Sequence, residues 1–187
     1  ITVMRVSFVI LSVLFFSVVA NAQHENHQTP AANTAQSKSP RKTAMALVGK
    51  NHVHIDYGSP SVRGRNIWNG LVAYDQVWAT GAHKATWVEF SSDVQIAGKT
   101  ISKGKYGFFT IPGKEDWVLI LSKDWDMHLA DAYKVENDVV RVVVKPIVNK
   151  EITEALTYKV VRSSGDRGKI EMSWEYVTVA LDFQNLK

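Results

Sequence analysis

The chain has 187 residues, with 22 basic against 18 acidic side chains (formal charge +4), six tryptophans and no cysteine. The lack of cysteine excludes disulfide staples, a thiol nucleophile and a lipid-modified amino-terminal cysteine. Lysines and arginines are interleaved with acids, so the chain offers no basic stripe of the kind nucleic acid requires.

The first segment reads as an address. Arg5 follows Met4, the expected start. Val6 to Val19 then run without a charge, and Ala20-Asn21-Ala22 has the small-x-small form of a processing site. A basic start, a short apolar run and such a site describe a signal peptide over 1–22, cleaved after Ala22. The run is shorter than the roughly 20 residues a membrane span needs. The expected product is periplasmic or secreted, has no membrane span, and carries a charge near +3 once Arg5 is gone. Residues 23–43, polar and small, read as a flexible leader. Residues 44–187 have the length of one domain, enough to bury a core without staples.

In that domain the apolar residues recur with period 2. Val53, Ile55 and Tyr57 form the first set, and Thr86, Val88 and Phe90 the second. Ala97-Gly98-Lys99 reads as a tight turn between Val94-Gln95-Ile96 and Thr100-Ile101. "WVLIL", 117–121, is apolar on both faces, which suggests a strand covered on both sides. Val140, Val142 and Val144 continue the pattern. Leu156, Tyr158 and Val160 follow, then Ile170, Met172 and Trp174. Val177, Val179, Leu181 and Phe183 are out of phase with that last set, so a bulge or break is expected near Tyr176. Residues 122–138 lack strand pattern and form a long loop, with room for one helical turn. Short strands with Gly and Pro turns predict an all-β fold: a single antiparallel β-sandwich, jelly-roll-like or immunoglobulin-like.

"HVHIDYG", 52–58, places His52, His54 and Asp56 on one strand face. Two histidines at i and i+2 can both reach a metal, with His83 or Asp56 as a third ligand. The spacing matches no named metal motif, and the polar face of a strand is the competing reading. A metal-dependent hydrolase built on His52, His54 and His83 is therefore the alternative, not the main expectation, and no cofactor is expected. No serine sits in a nucleophile elbow.

Six stretches, "DYGSPSVRGR" (56–65), "VWATGAHKATWVEF" (77–90), "AGKTISKGKYGFFTIPG" (97–113), "WVLILSKDW" (117–125), "DVVRVVVKP" (138–146) and "MSWEYVTVALDF" (172–183), resemble in order the exported bacterial family known as domain of unknown function 2911. The resemblance implies an exported, envelope-associated β domain and no assigned activity. At "WATGAHKAT" the family has tryptophan, arginine, any residue, Gly-Ala-Asn-Glu and a threonine. This chain keeps Trp78, Gly81, Ala82 and Thr86, but has Ala79 for the arginine, His83 for the asparagine and Lys84 for the glutamate. An ammonium cannot serve as the base or metal ligand that a carboxylate can be. Gly58, Pro60, Gly64 and Arg65 preserve the rest of the frame.

The main candidate site is the corner made by loops 59–65 and 80–84. Arg63 and Arg65 bring guanidinium forks suited to anions, and Tyr57, Trp78, His83 and Lys84 join them. The competing reading makes Arg65 a structural tie to backbone carbonyls. Among the tryptophans, Trp117 and Trp174 fit core positions. Trp68, Trp87 and Trp125 are candidates for exposed rings that stack on sugars, or for caps on the sandwich ends. The expected role is binding of a small anionic or carbohydrate-like ligand, or a structural one in the envelope. An exposed strand edge that captures another protein is a further option.

Overall fold

The computed structural model describes residues 38–186; the expected signal peptide and residues 23–37 of the expected leader lie outside them. Ten strands and one 3-10 turn follow in order: β1 (Arg41–Val48), β2 (Asn51–Gly58), β3 (Trp87–Phe90), β4 (Val94–Ile96), β5 (Lys99–Ile101), β6 (Gly104–Ile111), β7 (Trp117–Ser122), the turn Val135–Asn137, β8 (Asp138–Val144), β9 (Ile147–Ser164) and β10 (Arg167–Asn185). They form a six-stranded sheet, β1-β2-β3-β6-β7-β8, and a four-stranded sheet, β5-β4-β10-β9. Every strand pairing is antiparallel. This is the sandwich that the alternation predicts. Among the described residues no helix is long and apolar enough to cross a membrane.

β1 opens at Arg41, three residues before the sequence-based boundary at Ala44. Its inner face is small (Ala44, Ala46) and its outer face carries Thr43, Met45 and Leu47, so its alternation is faint. The turn between β4 and β5 is made by Ala97 (φ 48) and Gly98 (φ 79), the mirror-image geometry that follows the twist of a hairpin.

Val53, Ile55, Val88, Phe90, Phe108, Trp117, Leu119 and Leu121 from one sheet meet Leu156, Tyr158, Ile170, Met172, Trp174, Val179, Leu181 and Phe183 from the other. Ring pairs cross between the sheets: Phe90–Phe183 at 5.5 Å, Phe108–Tyr158 at 5.7 Å and Tyr57–Tyr158 at 4.8 Å. The change of phase in β10 is absorbed at Glu175, which has φ 54 and sits between two register shifts. The chain can therefore bury Trp174 and Val179 in the same core.

β7 is covered on both faces, although β8 lies outside it. On the outer face Phe109 and Ile120 form a second apolar cluster with Ala79 and Ala85, roofed by Val77, Met127, Ala130 and Tyr133. Burying Phe109 and Ile120 contributes about 2–3 kcal/mol each, enough to hold loop 123–137 on the sheet. That loop contains the 3-10 turn.

Trp68 is not exposed. Residues 66–72 fold back on themselves, with Leu71 N–H on the Asn66 carbonyl at 3.1 Å and Val72 N–H on that of Ile67 at 2.9 Å. This drives Ile67 into the core and sets Trp68 among Trp78, Trp117 and Trp174, with ring centroids 4.9–6.0 Å apart.

Candidate ligand-binding site

Loop 80–84 is the strained part of this corner. Thr80 (φ 49) and His83 (φ 65) both hold left-handed backbone, which is costly for a β-branched threonine. Thr80 is fully buried and held from all sides. Its hydroxyl donates to the Trp78 carbonyl and lies 3.1 Å from Thr110 Oγ1, while its carbonyl accepts from Thr86 Oγ1 (2.9 Å) and the Tyr158 hydroxyl (3.0 Å). Burial raises the Tyr158 phenol well above its ordinary range, so it remains a donor. Gly58 lets the loop approach: a Cβ there would stand 2.1 Å from the Ala82 carbonyl oxygen. A second loop braces the first through Leu129 N–H to the His83 carbonyl (2.6 Å) and Ala85 N–H to that of Met127 (2.9 Å).

The structure separates the expected site residues. Tyr57 is buried against Tyr158, beneath the loop, and lines neither cavity at this corner. Arg65 donates to the carbonyls of Val62 (3.1 Å) and Ser61 (2.6 Å), closing its own loop as the structural reading has it. Arg63 donates to the Lys38 carbonyl at 2.9 Å, and its own N–H is taken by Glu154. The two guanidinium groups are therefore tied to different backbone carbonyls, and only Arg65 lines a cavity at this corner.

His83 and Lys84 instead wall a cavity of about 400 Å³ with Arg41, Asp56, Trp87, Trp125 and Asp126. Its charges come in pairs. Arg41 is ion-paired with Asp56 and donates to the Lys84 carbonyl (3.0 Å), and Lys84 faces Asp126 at 3.5 Å. Burial lowers the Arg41 guanidinium from its usual value, but it stays charged. Trp87 is half-buried and Trp125 is 36% exposed, with ring centroids 6.5 Å apart. Lys105 Nζ stands 3.9 Å from the first ring centre and 4.5 Å from the second, a double cation–π contact. On the other side of His83 a second cavity of about 370 Å³ is walled by Arg65, Trp78, Leu71, Leu129 and Trp174, among others.

His52 and His54 do share the outer face of β2, with ring centroids 6.4 Å apart. His54 packs edge-on to Trp87 at 5.0 Å. Its Nε2 is buried and has no hydrogen-bond partner among the described residues. His83 does not join them in a metal set: among the described residues, no three His, Cys, Asp or Glu side chains are grouped closely enough to hold an ion. Two histidines on one strand supply only two of the ligands a catalytic zinc takes from protein.

The loop that carries Trp125 is anchored at its far end. Asn137 Nδ2 donates to Asp124 (2.6 Å) and the Tyr133 hydroxyl to Asp138 (2.6 Å). Burial pushes the Asp138 carboxyl up, against the opposing pull of Tyr133 and Arg141. Its Oδ1 is buried without a partner among the described residues.

The family described as "Protein of unknown function (DUF2911)" matches residues 39–183. The chain belongs to that family. No curated protein and no solved structure matches it. The match begins at Ser39, two residues before β1.

Sequence reasoning missed Arg41, Lys105 and Asp126 as parts of this corner. Arg41 fell in the segment read as leader. Lys105 comes beside Trp87 because the Glu89↔Lys105 and Trp87↔Gly107 register puts both on the outer face, and a single sequence does not reveal register. Asp126 belongs to the loop that folds over the second cluster.

Proposed function

We propose that this domain binds a neutral carbohydrate in the cavity between Trp87, Trp125 and the paired charges. The observation that carries the reading is the combination of two indole rings in the cavity wall, one of them 36% exposed, with Arg41 and Lys84 each matched to a carboxylate. A free anion bound at Arg41 or Lys84 would have to displace Asp56 or Asp126. A polyol does not: its hydroxyls both donate and accept, so they bond to either member of an ion pair without separating it. The C–H face of a sugar ring packs on indole, and the Lys105 ammonium over the rings adds a donor. The export that residues 1–22 predict belongs to the same proposal, with a mature chain starting at Gln23; the mass of the processed product checks it.

The test is a titration of tryptophan emission with the methyl glycosides of glucose, galactose, mannose and N-acetylglucosamine. At least one should change the emission saturably. Trp125→Ala should weaken that binding at least tenfold, about 1.4 kcal/mol, while changing stability by less than about 1 kcal/mol because the ring is partly exposed. No response to any glycoside, together with saturable binding of inorganic phosphate or citrate, would replace the sugar reading with the anion reading.

A further inference from the structure

The second cavity at this corner carries more than the sugar reading asks for. Ser39 and His83 wall both cavities, so the two lie side by side with loop 80–84 between them. Their surroundings differ. The first is bounded by ion pairs and indole rings, while the second sets the apolar walls Leu71, Val72, Trp78, Leu129 and Trp174 beside the polar side chains of Ser39, Arg65, His83 and His128. Leu71 is 51% and Leu129 38% exposed, large apolar side chains left in water where a ring could cover them. Leu129 is also held at φ 48, a strain that braces the mouth. Trp78 and Trp174 stack at 5.8 Å with 23° between their planes, which gives the cavity an aromatic wall. Trp174 is 1% exposed, and its indole N–H has no partner among the described residues.

Resting on the carbohydrate reading above, we infer that the ligand is a glycoside with an aromatic aglycone. The sugar occupies the charged cavity, and the ring crosses His83 into the apolar one. Both volumes lie in the range of roughly 300–1,000 Å³ that small-molecule sites occupy. A planar ring suits walls of indole and leucine, through offset or edge contacts with Trp78 and burial of both leucine side chains. His83, which lines both cavities, would contact both halves of such a ligand.

The experiment compares the methyl and phenyl glycosides of the four sugars by calorimetry on the native protein and on Leu71→Gln and Leu129→Gln. The phenyl glycoside should bind at least tenfold more tightly than the methyl glycoside of the same sugar, given the apolar area a phenyl ring buries. Each substitution should cut that gain to less than threefold and leave methyl-glycoside affinity unchanged. Equal affinity for the two glycosides would overturn the aglycone site and leave the sugar site standing. A gain that survives both substitutions would also overturn it, because the ring would then lie elsewhere. If no glycoside binds, the carbohydrate reading itself fails and this inference with it, even if phenol alone binds at the leucines.

Discussion

The sandwich has buried polar groups at two places, Asn51 and Thr80, and they are settled in opposite ways. Where β1, β2 and β10 meet, Asn51 is fully buried and both polar atoms of its side chain are hydrogen-bonded. Its carbonyl oxygen accepts from the N–H of Ser91 (2.9 Å) and of Ser92 (3.2 Å), and its amide donates to Asn185, which donates in turn to the Val48 carbonyl. At the Thr80–Lys84 corner the backbone is equally well held, yet strain remains at Thr80 and His83, the Trp174 N–H has no partner among the described residues, and indole and leucine stand in water. A closed network of this kind fastens strands together. The other keeps backbone strain and exposed apolar surface beside its ion pairs.

Substitutions can break that contrast. The largest effect should come from Asn51→Leu, which leaves the Ser92 N–H and the Asn185 carbonyl oxygen without their partner in the interior. A loss of about 3 kcal/mol is expected in urea unfolding, with glycoside affinity unchanged. Gly58→Ala should cost about 2 kcal/mol, since the new Cβ would meet the Ala82 carbonyl and backbone must move. Unlike the first change, it should also weaken glycoside binding, because loop 80–84 carries His83. An Asn51 variant that loses affinity, or a Gly58 variant that keeps it, would erase the distinction between the two places.

The smallest effect concerns Asp138, under the Trp125 loop. Its folded-state pKa lies above the ordinary 3.8, burial being the main cause. Stability from this group is therefore fully present below 3.8 and is lost as pH rises through the raised folded value. Asp138→Asn removes that dependence. Melting temperatures of the native and variant proteins between pH 7 and pH 4 should show the native gaining on the variant as pH falls. A parallel pair of curves would mean that the carboxyl titrates normally.

Most of the sandwich could be read from alternation, because strands with one wet face display it directly. Val53, Ile55 and Tyr57 are all buried, and even the β10 bulge announced itself as an apolar run that changed parity. Alternation failed where a face was small, as in β1 with Ala44 and Ala46. It also failed where burial depends on distant chain, as with Trp68, which is sealed by three other tryptophans from three separate segments. The site was harder for the same reason. Loops 59–65 and 80–84 could be picked out as a corner, and Trp87 and Trp125 as rings. That the arginines turn inward to carbonyls, and that Lys105 stands between the rings, depends on register and loop closure, which leave no local trace.

The path of the chain between the sheets has a mechanical consequence. β3 belongs to the six-stranded sheet, β4 and β5 to the other, and β6 to the first again. The crossings use only residues 91–93 on the way out and 102–103 on the way back. With tethers that short, neither layer can peel away while the other stays intact: pulling on one drags a hairpin out of its partner. The two layers are laced rather than stacked, so a force or denaturant that opens the Thr80–Lys84 corner from the β3–β6 side is resisted by β10, on the opposite sheet.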